Sequence, residues 1–152
     1  MKKILLAVDS SKKSEKAAKK IEQLVISPDT EITILHVVTP VNLIHDPQFK
    51  VEELLEERKD ELKKQGKKVL NTTESLLNKV LKKDNVSIKK LLKIGKPAEC
   101  ICNIADKKEH DLLIISEKGK NKDQRFQLGS TADKVVRHAK TPVLILKKDK
   151  CL

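Results

Sequence analysis

Four short apolar runs constrain this chain more than anything else in it: Ile4-Leu5-Leu6-Ala7-Val8, Ile32-Thr33-Ile34-Leu35-His36-Val37-Val38, Leu112-Leu113-Ile114-Ile115 and Val143-Leu144-Ile145-Leu146. A strand that stays apolar without alternating has both faces covered, as in a parallel sheet held between helices. The stretches between the runs have a different period. From Ser14 to Val25, the residues Ala17, Ala18, Ile21, Leu24 and Val25 recur at helical spacing, with lysines around the rest of the wheel. A second helical pattern runs from Val51 to Leu81 through Leu62, Val69, Leu76 and Leu77, with Gly66 as the place where it offers a bend or break. At 1.5 Å per residue its roughly 33 residues reach about 50 Å, long for a small protein. Val86 to Ile94 reads as a further strand, Pro97 to Asp106 as a helix, and Ser130 to Ala139 as a short helix before the last strand, Pro142 to Leu146. Punctuation agrees: Asp9-Ser10-Ser11 offers helix caps, Ser27-Pro28-Asp29 closes the first helix, Thr39-Pro40 stops the second strand, and Val41 to Gln48 is a loop. The order βαβαβαβαβ predicts an α/β fold with an open, mostly parallel five-stranded sheet, helices on both faces and right-handed crossovers. With 152 residues and no linker or repeat, residues 1–152 are expected to form one domain.

Composition removes several function classes. Trp and Tyr are absent and only Phe49 and Phe126 are aromatic, too few for a platform that stacks single-stranded bases. No apolar run approaches the roughly 20 residues that span a bilayer, and Met1-Lys2-Lys3 leads straight into a strand-like segment, so a cytoplasmic protein without a membrane association is expected. Cys100, Cys102 and Cys151 are an odd set, and the first two point to nearly opposite sides of one helix, so reduced thiols are expected. The four histidines have no ligand-like spacing, and no metal or catalytic role is assigned to them. The formal charge of +11 is uneven: residues 1–30 carry 7 basic and 4 acidic side chains, residues 31–116 carry 16 and 14, and residues 117–152 carry 10 and 4. That distribution does not describe one basic stripe, and nucleic acid is not the expected partner.

In an open parallel sheet, ligands bind beyond the carboxyl ends of the strands, near the point where strand order reverses. Ala7 to Ser10, Val37 to Pro40 and Ser116 to Thr131 should converge there. The last segment is the most informative: Ser116-Glu117-Lys118-Gly119, nine residues, then Gly129-Ser130-Thr131 opening a helix. Glycines admit phosphates to the backbone, and a helix N-terminus with hydroxyls is an anion site. Lys118, Lys120, Lys122 and Arg125 stand in the intervening loop; the plainer reading is that they are solvated and that Gly119 and Gly129 serve a turn and a cap. There is no GxxxxGK[ST], no GxGxxG after the first strand, no nucleophile elbow and no paired-carboxylate set, so no catalytic residue is nominated.

These residues resemble the universal stress protein family. The likeness rests on Ile4 to Ser11 with Ser14 and Ala17-Ala18, on Gly95-Lys96-Pro97-Ala98-Glu99 with Ile104-Ala105, and on Asp111 to Leu146, and it covers essentially the whole chain. Its nucleotide-binding members carry G-x2-G-x9-G-[S/T] after the fourth strand, followed by a helix and a terminal P-V-L strand; here Gly119, Gly129 and Ser130 fit, while Ser116 stands at the first glycine. The resemblance implies a Rossmann-like sheet of the adenine nucleotide alpha hydrolase type, with strand order 3-2-1-4-5, and an ATP-binding regulatory protein with little or no hydrolysis. It implies that Ala7 and Asp9 meet the adenine and ribose end, that Val37 and Val38 line the adenine pocket, and that Gly119, Gly129, Ser130 and Thr131 hold phosphates. The Ser116 hydroxyl would face ribose or phosphate, and Asp9 is the residue that would share a Mg²⁺ with the phosphates. A homodimer through Pro142 to Leu146 is implied as well. The competing readings are an interaction module of the same fold with an empty pocket, because Ser116 and the Lys120 to Gln127 loop do not close over phosphates, and a nucleotide hydrolase or transferase working through Asp9.

Overall fold

Strand β1 (Lys3–Ala7) lies at the centre of a five-stranded parallel sheet whose order is β3-β2-β1-β4-β5. The computed structural model describes residues 3–9, 14–24, 27–39, 51–81, 85–117 and 128–147. The loop from Val41 to Gln48 and Cys151 lie outside them. The remaining strands are β2 (Glu31–Val38), β3 (Ser87–Ile94), β4 (Leu112–Ser116) and β5 (Val143–Leu146), and the helices are α1 (Ser14–Gln23), α2 (Val51–Val80), α3 (Pro97–Lys107) and α4 (Ser130–His138). Every element expected from the sequence is present in the expected order. Ala7 stands opposite Leu35 on one side and Ile115 on the other, which fixes the register of the central three strands.

The unbroken apolar runs are explained by two cores, one on each face. Ile4, Leu6, Ile32, Ile34 and Ile114 pack against Ala18 and Ile21 of α1 and Leu70 and Leu77 of α2. Leu5, Ala7, Leu35, Leu113 and Ile115 pack on the other face against Ile101 and Ala105 of α3 and Val135 of α4. Alternate residues of one strand thus enter different cores, so neither set is spared for solvent. β3, at one edge of the sheet, carries Lys89, Lys90 and Lys93 and is half-exposed, as edge strands that resist further pairing are.

The second helix is continuous through Gly66, which settles the choice the sequence left open. A Cβ at residue 66 would lie 2.7 Å from Leu92 Cδ1, 3.1 Å from His36 Cδ2 and 3.3 Å from Val38 Cγ2. The glycine brings the helix axis close to β2 and β3; it does not interrupt the helix. Asp106 near the end of α3 accepts hydrogen bonds from the N–H of Lys140 (3.1 Å) and of Thr141 (3.0 Å) and from Thr141 Oγ1 (2.9 Å). Burial opposes ionisation there, but the Thr141 and Lys140 donors outweigh it and hold the carboxyl below its ordinary range. This pairing joins the α3 side of the molecule to the entrance of β5. Cys102, on the same helix, is pushed up by burial and by the neighbouring Asp106 charge, and so stays a thiol.

Candidate functional site

The sheet changes direction between β1 and β4: the chain leaves β1 toward β2 and β3 on one side and returns to β4 and β5 on the other. A crevice at the carboxyl ends of these two strands is where such sheets receive ligands. On the β1 side, Ala7 is 7% exposed and Val8 donates its N–H to the Leu35 carbonyl at 2.9 Å, so the strand is held to its last residue before the half-buried Asp9. His36, which the sequence reading did not single out, places Nδ1 2.9 Å from the Val8 carbonyl. That contact requires the tautomer with hydrogen on Nδ1, and it ties β2 to the backbone immediately ahead of Asp9. A histidine inside an otherwise apolar strand was the available signal.

Val37 and Val38 part company. Val37 packs on the α3 and α4 face, with Ala7 and Ile115, whereas Val38 is 5% exposed and turns to the α2 face, where its Cγ2 approaches Gly66. The Val38 carbonyl accepts the N–H of Gly95 at 3.0 Å. Of the two side chains, Val37 is the one on the face of α4.

On the β4 side, Ser116 is the last strand residue and stands opposite Leu146. It is half-buried, and its φ is not positive. The position therefore makes no backbone demand for glycine, and serine fits it without strain. Glu117 donates its N–H to Leu146 at 2.9 Å, and its carbonyl accepts the N–H of Gly129 at 2.8 Å. Residues 118–127, including Gly119 and the Lys118, Lys120, Lys122 and Arg125 side chains, lie outside the described residues. Gly129 caps α4 with φ −56° and ψ 154°, a conformation any residue adopts, so its missing side chain is a matter of space. No side-chain hydrogen bond caps this helix. The first-turn N–H groups belong to Ser130, Thr131 and Ala132, and they point toward the carboxyl edge of the sheet with the positive end of the helix dipole behind them. Asp133 N–H is the first to bond within the helix, to Gly129 at 2.9 Å.

Ala7, Asp9, Val37 and Ser116 thus lie at or next to the carboxyl ends of β1, β2 and β4, Gly129, Ser130 and Thr131 open α4, and the Val38 side chain lies on the α2 face. A family model described as the universal stress protein family matches residues 1–147. The chain belongs to the universal stress protein family. It is 32% identical over 149 residues to a universal stress protein of Methanocaldococcus jannaschii, covering 98% of this chain and 84% of the relative. A solved structure of another protein of that organism superposes with a TM-score of 0.80 at 28% identity, covering 99% of this chain and 98% of the other. The fold is shared, at 21% and 20% identity, by a family member of Arabidopsis thaliana with AMP bound and one of Archaeoglobus fulgidus in complex with dAMP (TM-scores 0.65 and 0.61). Among the described residues no helix is long and apolar enough to cross a membrane, and no three His, Cys, Asp or Glu side chains gather to hold a metal.

Proposed function

We propose that this universal stress protein binds an adenine nucleotide, ATP among them, in the crevice between β1 and β4, and acts as a regulatory dimer with little or no turnover. The observation that carries the reading is the start of α4: a glycine without conformational need, followed by two hydroxyl residues and an uncapped first turn at the strand-order switch. A helix N-terminus of this kind favours phosphate through its N–H groups and its dipole. Gly129 leaves room for the phosphate chain, Ser130 and Thr131 add hydroxyl donors, and Asp9 accepts from the ribose or base end. Val37 supplies an apolar wall, and Ser116 stands between the two. The AMP and dAMP held by the two distant relatives agree in ligand class. A Mg²⁺ would come with the nucleotide's own phosphates, with Asp9 as the protein's carboxylate nearby in sequence to β1. Among the described residues no nucleophile or general base stands out at this end of the sheet, which favours a bound regulator over a rapid hydrolase, and the cytoplasm is the compartment that supplies such nucleotides.

The test is calorimetric titration of nucleotide-stripped protein with AMP and with Mg-ATP. Binding at micromolar level supports the reading. A folded protein that takes up neither ligand at millimolar concentration overturns it and favours the interaction module with an empty crevice.

A further inference from the structure

A cavity of about 400 Å³ opens at the other end of the sheet, lined by Lys3, Glu31, Thr33, Lys89, Lys108 and His110. Lys3 and Glu31 are the first residues of β1 and β2 and stand opposite each other in the register, so this is the amino edge, a full strand length from the proposed nucleotide crevice. Strand alternation puts Lys3, Glu31, Thr33 and Lys89 on the α3 face together with Leu91, which closes the apolar side. The remaining wall is the turn from α3 into β4. Glu109 at φ 50° folds that turn back, His110 is 7% exposed with its N–H bonded to Ala105 at 3.2 Å, and Asp111 exchanges two 2.8 Å hydrogen bonds with the Lys3 backbone. The wall that carries Lys108 is therefore fixed to β1.

The lining carries four lysines, Lys3, Lys89, Lys90 and Lys108, against one carboxylate, that of Glu31. Lys89 is 2.8 Å from Glu31, and that bond holds the Glu31 carboxyl below its ordinary range despite some burial. Lys90 turns its ammonium to Glu74 on α2, 2.7 Å away. Lys3 also acts on the Glu31 carboxylate, but with Lys89 and Lys108 in the same lining the positive charge exceeds what Glu31 offsets. Volumes of this order suit a small molecule. Lysines recognise charge without the planar fork of arginine, which suits a compact tetrahedral anion carrying more than one charge. We infer that the amino edge of the sheet is a second binding site, for a small phosphate anion of the pyrophosphate or phosphomonoester kind, held between Lys3, Lys89 and Lys108 with the Thr33 hydroxyl as an additional donor.

The inference stands apart from the proposed nucleotide site. Its test is an NMR titration of the ¹⁵N-labelled protein with inorganic pyrophosphate at low ionic strength. Saturable shifts are expected at the amides of Thr33, Leu91 and His110. The double variant Lys89→Ala, Lys108→Ala should weaken binding about tenfold, while Lys59→Ala, Lys67→Ala, which removes the same charge from exposed α2, leaves it within about twofold. Shifts confined to Ser116 and Gly129, an absence of saturation, or equal loss in both double variants would overturn the inference.

Discussion

Gly66 of α2 faces Leu92 of β3 so closely that a Cβ on the glycine would lie 2.7 Å from Leu92 Cδ1. The same atom would crowd His36 and Val38, two residues at the carboxyl end of β2. A branched side chain here must push the helix off the sheet. Gly66→Val is expected to destabilise the protein by about 1–3 kcal/mol, as overpacking does, with the midpoint of urea unfolding as the measurement. An unchanged midpoint would show that the helix moves away at no cost.

Asp106 should make stability depend on acid. Its folded pKa lies below the ordinary value, so the carboxylate contributes fully above that ordinary value, and the contribution is lost as pH falls through the folded one. Asp106→Ala is expected to cost about 1–2 kcal/mol at neutral pH, since three donors lose their acceptor. The gap between wild type and variant should narrow below roughly pH 4. Parallel unfolding curves at neutral and acidic pH check both halves; a gap that stays constant would mean the carboxylate's charge is irrelevant.

Site and scaffold should separate by mutation. Gly129→Val places a branched side chain at the head of α4, where the backbone tolerates it, and is expected to abolish adenine nucleotide binding in a folded protein. Leu113→Ala empties a position that is 0% exposed and should cost about 2–5 kcal/mol of stability. Calorimetry and unfolding on both variants give the contrast. Retained affinity in the Gly129 variant removes the phosphate assignment.

β5 ends the sheet order with β4 as its neighbour, and the proposed dimer pairs it with the β5 of a second copy. Light scattering at tens of micromolar should return twice the chain mass, and Ile145→Pro, which removes a strand N–H, should return the monomer. A wild-type monomer at that concentration ends the dimer reading.

Much of this architecture was legible because each apolar run is set by covalent neighbours. Ile4 to Val8 and Leu112 to Ile115 admit only a strand covered twice, and two cores meet them. Alternation alone leaves open which of Val37 and Val38 turns toward α4, because that depends on which helix covers which face. Ser116 was ambiguous for a similar reason: a glycine position reveals its φ only once the strand is seen to run through it to Leu146. The amino-edge cavity was invisible in the sequence. Lys3, Glu31, Lys89 and Lys108 are spread across more than a hundred residues and meet only through strand register and the turn after α3.

The bond from Gly129 N–H to the Glu117 carbonyl fastens together the two ends of the segment that separates β4 from α4. Glu117 and Gly129 are kept together whatever sequence joins them, so changes in that sequence need not tilt α4 or shift β5. A lineage is thereby free to retune what the crevice admits while inheriting the frame unaltered, and swapping that segment between relatives should exchange ligand preference without exchanging stability.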